Sequence, residues 1–177
     1  TFFDGLLEEN TGHSLASTLV EDNSDPDAVK DFTSDKIKEI YVEFGKQYYS
    51  EDGAFPYGDY RFQYMDRNLP YEGIESNSAL WLEYDTVGEF DSDQEDLEMI
   101  QGWLKDRGFL EYNGWDKDSN VLSHPTLTMH IYYESGETLS IEGCGQDAIP
   151  TAWDADEFLH LLEDIAQRHG TSLASQE

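Results

Sequence analysis

A single cysteine, Cys144, excludes any disulfide within the chain. Lysine and arginine are scarce as well: ten of them face thirty-nine aspartates and glutamates, a formal net charge of −29 with a pI of about 4.1. Such a surface repels nucleic acid, anionic lipid and acidic substrates, so direct nucleic-acid binding is not expected. No apolar run reaches membrane-spanning length, and membrane insertion is not expected. Gly-x-Ser-x-Gly, His-Glu-x-x-His, Walker and dinucleotide-binding patterns are all missing, so no cofactor is expected. No signal-peptide pattern is visible, and the compartment stays open between the cytoplasm and the secreted or cell-surface space.

What the chain does have is aromatic bulk. Aromatics make up 14% of 177 residues, which argues against disorder and for an aromatic-rich core. The length fits a single domain over 1–177, with an irregular N-terminal segment at 1–32 and a frayed tail at 171–177. With so few cations, most carboxylates must be solvated or hold cations, and the fold works against its own repulsion. The acidity has three readings: a surface that meets a basic protein, a halophile's surface, or plain solubility.

Periodicity and caps set the elements. Phe2, Phe3, Leu6 and Leu7 are expected to dock as a short helical turn, and residues 21–27 read as loop. Ile37, Ile40, Tyr41, Phe44 and Tyr48 recur at helical spacing and predict a helix over 35–49. Strands are expected at 60–64 and 79–84. A second helix is expected at 93–107, capped by Ser92 with Glu95, striped by Leu97, Ile100, Trp103 and Leu104, and closed by Gly108. A hairpin follows: Leu127, Met129, Ile131 and Tyr133 alternate on one strand, Leu139 and Ile141 on the other, around Glu134–Glu137. The last helix starts at the N-cap Asp154, with Trp153 and Phe158 as a hydrophobic staple, and ends at Gly170. The predicted fold is α+β: an antiparallel-rich sheet with three helices packed on one face, built from two degenerate ββα units.

Residues 92–168 resemble a module found in uncharacterised proteins of Gram-positive gut bacteria. Gly114-Trp115-Asp116, Tyr133, Gly136, Gly143, Pro150 and the helix from 155 carry the resemblance. It implies a strand ending in Tyr-x-x-Gly, a second strand ending in Gly and a capped C-terminal helix, and no activity.

Few constellations carry chemistry. Asp116, Asp118 and Asn120 alternate like the first half of a calcium loop, but Val121 replaces the turn glycine and Leu127 stands where a bidentate Glu belongs. They are a weak calcium candidate, and the plainer reading is an Asx-rich connector. Asp91-Ser92-Asp93-Gln94-Glu95 reads as an acid-rich helix start. His13, His124, His130, His160 and His169 lack zinc spacing. A nucleophilic Cys144 would need a histidine within reach, which His124 or His130 supplies only by an accident of folding, and acidic surroundings raise a thiol's pKa, so it reads as inert. The four tryptophans read as core, with Trp115 in its Gly-flanked setting the one to watch as a ligand platform. No carboxylate pair can be singled out among thirty-nine acids. The leading expectation is a non-enzymatic binding domain that meets a basic protein. The alternatives are a DNA mimic that blocks a nucleic-acid-binding protein, which needs phosphate-like rows of acids, and an enzyme of unrecognised type.

Overall fold

The computed structural model describes residues 19–47, 53–119 and 126–175. They form an α+β fold around one eight-stranded sheet. Its strands are β1 (Val20–Asp22), β2 (Ile37–Lys46), β3 (Gly58–Met65), β4 (Ser78–Leu82), β5 (Asp85–Phe90), β6 (Trp115–Ser119), β7 (Thr126–Tyr133) and β8 (Thr138–Cys144). The order is β1-β6-β8-β7-β2-β3-β4-β5. All neighbours are antiparallel except β6 and β8, which run parallel. Two α-helices are described, α1 (Gln94–Asp106) and α2 (Ala155–Arg168), besides short 3-10 turns at Phe109–Tyr112 and Gln146–Ala148. The Phe2–Leu7 turn lies outside the described residues.

The helix expected over 35–49 is instead strand β2, as far as it is described. Ile40, Val42 and Phe44 point inward, and Tyr41 and Glu43 alternate outward. The register against β7 slips between Ile37 and Glu39. That bulge turns Ile37 to the same buried face as Ile40, and the spacing of three it creates imitates a helix. Ile37, Ile40 and Val42 are β-branched and suit a pleated strand. β2 sits at the sheet centre, where β3 and β7 satisfy its backbone from both sides.

The strand expected at 79–84 stops at Leu82, and the strand β5 was not anticipated. Glu83 turns the chain with a positive φ of 55° and leaves Tyr84 99% exposed at the tip. A register shift between Leu80 and Trp81 breaks the alternation that marks a strand in sequence.

Both helices pack on one face of the sheet. Phe158 of α2 stands edge-on to Phe44 at 5.5 Å and to Phe62 at 6.1 Å between ring centres. Leu97, Ile100 and Leu104 of α1 and Leu159, Leu162 and Ile165 of α2 are buried with Val42, Leu80, Met129, Ile131 and Leu139. Each such side chain contributes about 1.5–3 kcal/mol on leaving water. The staple is present, with Trp153 and Phe158 5.3 Å apart, and the Asp154 side chain accepts from Glu157 N.

The start of α1 lies one residue further than its sequence cap. Asp93 and Asp96 form the capping box, each side chain accepting from the other's backbone N–H at 3.0 and 2.9 Å. The Ser92 hydroxyl is taken by Ser78 at 2.6 Å. Asp96 is buried, and His169 Nε2 lies 2.5 Å from its Oδ2 while Arg168 pairs with its Oδ1. The end of α2 is thereby tied to the beginning of α1.

Residues 171–175, read in sequence as part of a frayed tail, are docked. The Glu163 carboxylate accepts from Ser172 Oγ (2.8 Å), Ala174 N (3.1 Å), Gln167 Nε2 (2.9 Å) and Leu173 N (2.5 Å). Leu173 is buried against Gly88 of β5, where a Cβ would lie 2.5 Å from its methyl carbon.

Candidate functional site

The strand registers assign side chains to the face of the sheet away from the helices. One row across it reads Asp116, Glu142, Thr128, Glu43, Arg61, Trp81. The next reads Ser140, His130, Tyr41, Gln63, Ala79. Asp118, Glu39, Asp59 and Glu83 extend the same face. Alternation forces this layout: burying Val42, Phe44, Phe62 and Met129 under the helices turns their neighbours outward. Among these paired positions, acids outnumber Arg61 and His130 several to one.

One flank of the face is an acidic cleft of about 470 Å³ between β6, β8 and the segment 23–32. Asp25, Asp116, Glu137 and Glu142 line it. Gly114 permits the close approach of that segment: its φ is 85°, and a Cβ there would lie 2.8 Å from Asp25 O. Asn113 then fastens the segment, donating to Val29 O at 2.8 Å and accepting from Ser140 N at 2.8 Å.

The opposite flank combines aromatics with a cation. The loop after β3 folds back over the sheet and packs Leu69 on Ala79 and Trp81. The Arg61 guanidinium lies 4.3 Å from the Trp81 ring centre and 5.4 Å from that of Tyr71. Arg61 Nε and Gln63 Oε1 are buried without hydrogen-bond partners. Beside them Tyr41 donates to Glu43, and burial together with that carboxylate pushes its hydroxyl up to about 12. The aromatic-polar alternation of β3 could have located this patch in the sequence. Its partner Tyr71 lies in a loop, and nothing in the sequence marks it.

At the centre, Ser140 Oγ lies 3.2 Å from His130 Nδ1, and His130 Nε2 lies 3.4 Å from Glu142 Oε1. Hydroxyl, imidazole and carboxylate thus stand in line. A nucleophilic serine also needs N–H donors aimed at a developing oxyanion. Here Ser140 N donates to Asn113, and the facing carboxylates oppose new negative charge. The arrangement orients His130 and supports no acyl-transfer step.

The calcium candidates Asp116 and Asp118 lie on β6, a strand rather than a loop, and both are exposed. As residues i and i+2 of a strand they stand side by side on one face, about 6.6 Å apart. Asn120, His13 and His124 lie outside the described residues. His160 is exposed on α2 with its ring edge-on to Phe55 at 5.7 Å. Cys144 ends β8 and is exposed. Trp115 is half-buried; its Nε1 donates to Ala148 O at 2.8 Å, and Lys117 Nζ lies 3.8 Å from its ring centre. Among the described residues, Asp93, Asp96 and His169 bring three potential metal-ligand atoms within 4.8 Å of one another. Arg168 already places a positive charge on that cluster.

Comparison with protein-family models, with curated proteins and with solved structures finds no match for this chain. No helix among the described residues is long and apolar enough to cross a membrane.

Proposed function

We propose that this chain is a non-enzymatic interaction domain whose helix-free sheet face receives a basic segment of a partner protein. The observation that carries the reading is the layout of that face. Asp116, Asp118 and Glu142 stand on one flank, Glu39 and Glu43 at the centre, and Asp59 and Glu83 on the other. A formal charge of −29 adds long-range attraction for a basic partner. Calcium bound weakly at Asp116 and Asp118 would compete with such a partner.

The acids do not favour mimicry of a nucleic-acid backbone. Thr128 interrupts one row, which then runs into Arg61 and Trp81; Gly45 stands opposite Asp59 in the next. A double row of phosphate-like charge would be continuous.

The test is fluorescence anisotropy with a labelled oligolysine peptide at several salt concentrations. Asp116→Asn, Glu43→Gln and Glu142→Gln together should weaken binding about tenfold, and the wild-type affinity should fall steeply with salt. The control Glu98→Gln, Asp106→Asn and Asp164→Asn removes equal charge from exposed helix positions. Equal weakening by both sets would mean diffuse attraction and no docking face. Displacement of a DNA-binding protein from its DNA by this chain, with oligolysine unbound, would favour mimicry instead.

A further inference from the structure

The cleft beside Arg61 carries both signs of charge. From it we infer the form of the basic segment: a peptide C-terminus ending in lysine or arginine, with its α-carboxylate on Arg61 and its side-chain cation among Glu43, Asp59 and Glu83. The inference rests on the reading above and narrows it to one end of a partner chain.

Lys46, Lys105, Arg107, Lys117 and Arg168 each pair with a carboxylate. Arg61 pairs with none among the described residues, although Glu43 stands opposite it on β2. The Tyr41 hydroxyl engages that Glu43 carboxylate instead. The guanidinium packs against the Trp81 and Tyr71 rings, which meet edge to face. Side-chain freedom is therefore lost before any ligand arrives, which lowers the entropic cost of binding. A guanidinium that contacts no carboxylate keeps N–H donors for a ligand, and their fork matches a carboxylate with two parallel hydrogen bonds.

The cleft that Arg61 lines measures about 480 Å³, and Glu43, Asp59 and Glu83 line it too. A phosphate dianion on Arg61 would face these three carboxylates at close range. A zwitterion answers both signs. Asp59 lies two residues before Arg61 on β3, about 6.6 Å along the strand, a distance that a lysine side chain spans from its own carboxylate. Tyr84, unpacked at the tip of the β4–β5 turn, stands at the rim of the same cleft.

Calorimetry with three synthetic tetrapeptides tests this: Ala-Ala-Ala-Lys with a free carboxylate, its C-terminal amide, and Ala-Ala-Ala-Ala with a free carboxylate. The free lysine acid should bind about tenfold more tightly than either other peptide. Arg61→Gln should erase the acid-over-amide difference, and Glu43→Gln with Asp59→Asn should erase the lysine-over-alanine difference. Equal binding of acid and amide by the wild-type protein overturns the inference without recourse to any variant. So does displacement of the lysine acid by millimolar inorganic phosphate, which would make the site a general oxyanion receiver. If oligolysine binds with steep salt dependence while the terminus is ignored, the acidic docking face stands and this inference fails. If no basic peptide binds, both fail.

Discussion

Glu163 offers a direct test of how the end of the chain is held. Glu163 is 6% exposed, and its carboxylate accepts two backbone N–H groups, from Leu173 and Ala174, besides Ser172 and Gln167. Glu163→Ala leaves the buried Leu173 N–H without its acceptor, and a hydrogen bond to a charged group contributes about 1.5–3 kcal/mol. It also frees Leu173, 5% exposed, from its place against Gly88. Losing part of that burial adds about 1–2 kcal/mol. The exposed partners rehydrate and add little. The sum is about 2.5–5 kcal/mol, or roughly 5–20 °C in Tm for a chain of this size. Burial pushes the Glu163 pKa up, but the hydrogen bonds from Leu173, Ser172, Gln167 and Ala174 outweigh it and hold the group below its ordinary value of 4.5. A lowered folded pKa means that the charged form stabilises the fold above the unfolded value, and that this stability is lost as pH falls through the folded one. Urea unfolding of wild type and Glu163→Gln should therefore show a full gap at neutral pH that narrows as pH drops below the ordinary value of 4.5. Leu173→Ala combined with Glu163→Ala should cost less than the two separate losses added, because both release the same segment. A Glu163→Ala change below about 0.5 kcal/mol would refute the reasoning, since surface substitutions already reach that size.

Two further outcomes follow from the same charges. At the start of α1, Asp96→Ala should cost about 3 kcal/mol, because it removes the buried carboxylate that meets Arg168 and His169 and opens the capping box. Glu95→Ala should cost under about 1 kcal/mol, because its pairing with Arg168 is exposed; the reverse order in thermal melts would restore Ser92 and Glu95 as the cap. With a net charge of −29, added sodium chloride should raise Tm from its low-salt value by several degrees. A Tm that falls with salt would mean that the few ion pairs outweigh the repulsion.

The α+β class, the antiparallel 126–142 hairpin and both described helices were legible in the chain itself. Their signals are local: Leu127, Met129, Ile131 and Tyr133 alternate without a break, and Asp154 with Trp153 and Phe158 marks a helix start over a few residues. The acidity needs only composition. Where the chain misled, two neighbouring elements decided the outcome. Ile37 and Ile40 share a face because of a bulge against β7, and a bulge is a property of a pair of strands. The candidate site has the same origin. Glu142, Thr128, Glu43, Arg61 and Trp81 come from five strands spread over about half the chain, and only the register lines them up. Local sequence specifies which residues point to the same side of one strand, since the side-chain period is two. Which strands become neighbours is set by burying the apolar face of β2 under the two helices while β3 and β7 satisfy its backbone on either side, and that choice belongs to the tertiary structure alone.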